Sequence, residues 1–154
     1  WRFSVGAVAA TVHDAIIVLG VFSVFQLDFD LNVLASVLTV VGYSLNDTIV
    51  IFDRVRENFR KVRKGTPLQI MNQSVNETMS RTIITALTVF LVVIALYLFG
   101  GETLRGFSLA LLVGLDSGTW STIYIASNVA ILLGVSPANL AVPKKEGEGA
   151  GAQV

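Results

Sequence analysis

Cysteine is absent from this 154-residue chain, which excludes a disulfide framework and any thiolate metal site. Charge is scarce as well: Asp, Glu, Lys and Arg make up 14% of the residues, and eleven basic side chains balance eleven acidic ones. A formal net charge of zero gives no argument for nucleic acid or acidic partners, so the information lies in where the charges fall. The chain also lacks a P-loop, an H-E-x-x-H pattern and a G-x-S-x-G elbow, so nucleotide hydrolysis and hydrolase chemistry have no support. No repeat of roughly 20 to 50 residues suggests a solenoid. No cofactor and no bound metal are expected.

What is present is apolar: 53% of the residues are hydrophobic, and the mean hydropathy is +0.71. That places the chain far from ordinary soluble domains and among membrane proteins. Four runs reach the roughly 18 to 20 apolar residues that cross a bilayer, over 3–25, 31–52, 78–99 and 104–133. The links "QLDFDLN" and "GGETLRG" are short, which predicts antiparallel neighbours. Because Trp1 and Arg2 lead straight into the first run, the chain reads as a fragment of something longer.

The link between the second and third runs is basic. "RVRENFRKVRKG" holds Arg54, Arg56, Arg60, Lys61, Arg63 and Lys64, which by the positive-inside rule predicts a cytoplasmic position. Arg2, Lys144 and Lys145 then fall on the same side, so both ends are expected to be cytoplasmic. Val55, Phe59 and Val62 recur at helical spacing, which predicts a cytoplasmic amphipathic helix over 54–64 lying on the membrane lipid. The alternative is a solvated continuation of the second span. After Leu140, "AVPKKEGEGAGAQV" has little to bury, and a disordered cytoplasmic tail over 141–154 is expected.

Ionisable groups at membrane depth cost about 2.5 kcal/mol or more and therefore face a partner. The candidates are His13 and Asp14 in the first span, Asn46 and Asp47 in the second, Arg81 in the third and Asp116 in the fourth. Asp47 stands out because Tyr43, Ser44 and Asn46 surround it on the helix, with Arg54 two turns on. Thr78, Arg81, Thr82, Thr85 and Thr88 are spaced by steps of three or four and occupy one face of the third span. If that stripe meets Asp47, a carboxylate, a guanidinium and a ladder of hydroxyls line one seam. Burial favours a protonated carboxyl and a nearby guanidinium an ionised one, so a small movement switches such an acid between holding and releasing a proton. A static ion pair uses the same residues. Asp53 and Arg54 read as interfacial charges, and Gly114 with Gly118 forms a G-x-x-x-G for close helix packing.

Four blocks, "HDAIIVLG", "VGYSLNDTIVIFDRVREN", "MSRTIITALTVFLVV" and "LRGFSLALLVGLDSGTWSTIYIAS", together resemble the membrane part of the SecF family, whose members pair with SecD in bacterial protein export. The resemblance covers nearly everything before the tail. It implies an all-α integral membrane fold: four antiparallel transmembrane helices, the third to sixth of a six-helix half similar to resistance-nodulation-division transporters. It further implies residence in the bacterial inner membrane, a SecD-like partner, the SecYEG channel and a translocating unfolded polypeptide, with proton flow driving late export. By the same resemblance Asp47 and Arg81 belong to the proton path. His13, Asp14, Asn46, Tyr43, Thr85 and Asp116 are accessory polar groups. The family more often has an apolar or hydroxylated residue where Asp116 stands, so this acid is either a second titrating group or a partner for a polar residue of the SecD-like subunit. Two other readings use the same residues: a half-transporter of lipids or small molecules, and a structural membrane subunit in which Asp47 does not titrate.

Overall fold

The computed structural model describes residues 1–61 and 65–135. The tail expected over 141–154, and Val62 to Lys64 of the basic link, lie outside the described residues. Helices account for the architecture: α1 (Arg2–Val24), α2 (Leu31–Lys61), α3 (Pro67–Phe99), α4 (Gly101–Ser121), a π-helical turn (Thr122–Ala126) and α5 (Ser127–Leu132). The last three stack into one rod, Gly101–Leu132, so among the described residues four helices are long and apolar enough to cross a membrane.

Local chemistry sets the ends. Gln26 takes φ of 50° after α1, and Asp30 opens α2 by accepting the Val33 N–H at 2.8 Å. Thr66 and Gln69 form a capping box with Pro67 in the first turn of α3. This places the start of α3 well before the span expected over 78–99; "TPLQ" was the signal. Between α3 and α4, Gly101 has φ of 71°, the left-handed region that favours glycine.

Within the described residues the basic segment, Arg54 to Lys61, continues α2 without a break. The reason is packing. Val55 and Phe59 are buried in a cluster with Ile70, Met71 and Val75 of α3 and Phe3 of α1, so its apolar stripe meets protein. Arg56 lays its guanidinium over the Phe3 ring, 5.0 Å from the centroid.

α2 and α4 pack together at the centre, and α1 and α3 each rest on both. Half of the apolar window of Gly101–Leu132 is buried, against 11% of that of α3, whose Ile84, Leu87, Leu91 and Val92 face outward. Apolar exterior and small polar interior is the pattern of helices packed within lipid, where close approach and hydrogen bonds replace hydrophobic collapse. Gly114 shows the close approach: a Cβ there would stand 2.1 Å from Val40 Cγ2. At Gly118 the same atom would find ordinary contacts at 3.6 Å, so the first glycine of G-x-x-x-G carries the packing.

Candidate functional site

Asp47 sits half-buried on α2 and accepts a hydrogen bond from Thr82 Oγ1 of α3 at 3.0 Å. The Asp47 face and the threonine stripe therefore meet, through Thr82. The other hydroxyls of the stripe bond back onto their own helix, and that of Thr85 also interacts with Tyr43 of α2. Thr78 bonds the carbonyls of Ser74 and Val75, Thr85 those of Arg81 and Thr82, and Thr88 those of Ile84 and Thr85. Back-bonding of this kind is common for helical threonines. Arg81 is exposed and forms no ion pair with Asp47; the ion pairs among the described residues lie elsewhere.

The neighbours of Asp47 on α2 diverge. Asn46 is exposed and Tyr43 half-buried, while Ser44 turns to the opposite side and donates to Asp14 Oδ2 of α1 at 2.6 Å. Ser121 of α4 donates to the same oxygen at 2.8 Å. His13 Nδ1 stands 3.2 Å from Asp14 Oδ1, and Asp14 is fully buried. One turn along α2, the hydroxyls of Thr48 and Thr122 meet at 3.1 Å, both buried. Ser121 and Thr122 carried no signal beyond their polarity within an apolar run. Asp116 is exposed on α4 and lines a groove of about 280 Å³ with Leu87, Phe90 and Trp120.

A second polar cluster joins α2 to α3 beyond the apolar spans. Arg54 bonds Glu77 Oε2 through Nε at 2.6 Å and Glu57 through a terminal nitrogen at 2.6 Å. Asn58 donates to both Glu77 and Ser74 at 2.9 Å, and Gln73 reaches Glu77 Oε1. The Asn58 amide, with Gln73 and Arg54, holds the Glu77 carboxyl down at about 2. Arg54, expected on the Asp47 face, is thus engaged here. Glu77 escaped the sequence reading because it lies just outside the third apolar run.

Residues 1–136 match the family described as protein export membrane protein SecD/SecF, C-terminal. The chain belongs to that family. Within it the SecF subunits stand near: the chain is 56% identical over 150 residues to the protein translocase subunit SecF of Vibrio alginolyticus, covering 97% of this chain and 48% of the relative. The corresponding subunit of Escherichia coli O157:H7 is 51% identical over 150 residues, covering 97% and 46%. The chain therefore spans about half the length of these SecF relatives. A crystal structure of SecDF from Thermus thermophilus, described as a translocon-associated membrane protein, superposes with a TM-score of 0.83 at 43% identity, over 86% of this chain and 18% of that one. A super-membrane-facing form of SecDF gives the same values. The all-helical fold and the SecF resemblance both accord with these relatives.

Proposed function

We propose that the chain is the membrane part of an accessory subunit of Sec-dependent protein export, working with a SecD-like subunit and the SecYEG channel on an unfolded polypeptide in transit. In this reading it lies in the bacterial inner membrane with both ends cytoplasmic, and proton flow through it drives late export. Kinship with translocase subunits supports the export role.

The observation that carries the proton assignment is Asp47: a half-buried carboxylate at membrane depth, held by a hydroxyl across the α2–α3 interface and not ion-paired with Arg81. A carboxylate so placed keeps both protonation states within reach, since Thr82 stabilises the ionised form and burial the neutral one. Arg81 stays charged throughout and acts as the counter-charge that approaches when α2 and α3 shift. The exposed side of Arg81 is open to a SecD-like subunit against the α2–α3 face.

Asp47→Asn preserves size and hydrogen bonding and removes titration. In inverted vesicles carrying the complete complex, the proton-dependent part of export is expected to disappear while the proton-independent part stays. Export at full proton-dependent rate would overturn the assignment and favour a non-titrating structural subunit.

A further inference from the structure

One turn of α2 is tied to all three of its neighbours. Ser44 reaches Asp14 on α1, Asp47 receives Thr82 from α3, and Thr48 meets Thr122 in the π turn. A helix rises about 1.5 Å per residue, so sliding α2 by a single residue breaks hydrogen bonds of this length together.

We infer that Asp14 is a positioning residue for the Asp47 site: its carboxylate fixes α2 against α1 and α4 and so sets where Asp47 meets Thr82. The inference rests on the reading of Asp47 as the titrating carboxyl. Three observations carry it. First, Asp14 is fully buried, and one of its oxygens accepts from both Ser44 and Ser121, so a single atom joins three helices. Second, Ser44 and Ser121 depart from the habit of the buried Ser36, Ser74 and Ser108: those donate to carbonyls of their own helix, whereas Ser44 and Ser121 both donate across to α1. Third, Ser44 lies three residues before Asp47, within the same turn, so its tether acts directly on the backbone that aims Asp47.

Among the described residues no Lys or Arg pairs with Asp14. His13 on its own helix is the titratable group beside it; α2 presents Ser44, and α4 presents Ser121 and Gly118.

The test uses the complete export complex in proteoliposomes and dicyclohexylcarbodiimide, which modifies protonated carboxyls at membrane depth. Modification of Asp47 is followed by peptide mass spectrometry across a pH series. Ser44→Ala is expected to change the Asp47 labelling rate several-fold and to displace its pH midpoint, and Asp14→Leu to do the same. Asp14→Asn keeps an acceptor for both serines and is expected to restore the wild-type profile. Ser36→Ala, which removes a buried hydroxyl of α2 bonded to its own backbone, is expected to leave it unchanged. An unchanged profile in Ser44→Ala would overturn the inference, and this single-hydroxyl variant carries the test if Asp14→Leu does not fold. A profile in Asp14→Asn as displaced as in Asp14→Leu would overturn it too, making charge at Asp14 the requirement. Failure of the Asp47 reading shows separately, as undiminished proton-dependent export in Asp47→Asn.

Discussion

Two carboxylates on the α2–α3 interface sit in opposite environments. Asp47 has a single hydroxyl donor, whereas Glu77 collects Asn58, Gln73 and Arg54. The second arrangement belongs to a permanent ion-pair network, since donors so numerous hold the carboxyl ionised down to about 2. Its folded value lies below the ordinary 4.5, so the stabilisation is fully present above 4.5 and is lost as pH falls toward 2. Glu77→Gln is therefore expected to flatten the acid limb of the melting temperature against pH in detergent, with wild type and variant converging at the acid end. A wild-type-like slope in the variant would place the acid sensitivity elsewhere. Sequence reading found Asp47 and Thr82 because both break an apolar pattern. It missed Glu77 because an acid among polar residues breaks nothing.

Helices were legible as lengths, less so as boundaries. The four apolar runs correspond to the four long helices, since a bilayer demands about 20 apolar residues and that demand is local to each run. Where an amphipathic extension adds to a span, the periodicity of Val55 and Phe59 is the same whether the stripe meets lipid or protein, and here it meets α1 and α3. The glycines separate in the same way. Gly114→Ala drives a methyl into Val40 and is expected to cost about 1–3 kcal/mol, as overpacked sites do. Gly118→Ala finds only ordinary contacts and is expected to melt close to wild type. Thermal unfolding of the two variants side by side checks the contrast; equal losses would mean that α4 packs through both glycines.

As a whole, the molecule presents apolar side chains outward and collects Asp14, Ser44, Thr48, Thr82, Ser121 and Thr122 inside. The absence of cysteine makes its topology directly measurable. Lys61→Cys, after the second span, is expected to react with a membrane-impermeant maleimide from the cytoplasmic face, and Glu102→Cys, after the third, from the opposite face. Labelling of both from one side would overturn the four-span arrangement. The sequence by itself determined the apolar character, the four runs of membrane-crossing length and the family, because hydropathy and motif order are properties of consecutive residues. Tertiary structure alone decided the pairings: that Ser44 turns from Asp47 to Asp14, that Thr82 leaves the threonine stripe to meet Asp47, and that Arg54 serves Glu77. The helical period fixes which residues share a face. It leaves open which neighbour that face meets and at what rotation, and packing of α2 against α1, α3 and α4 supplies both.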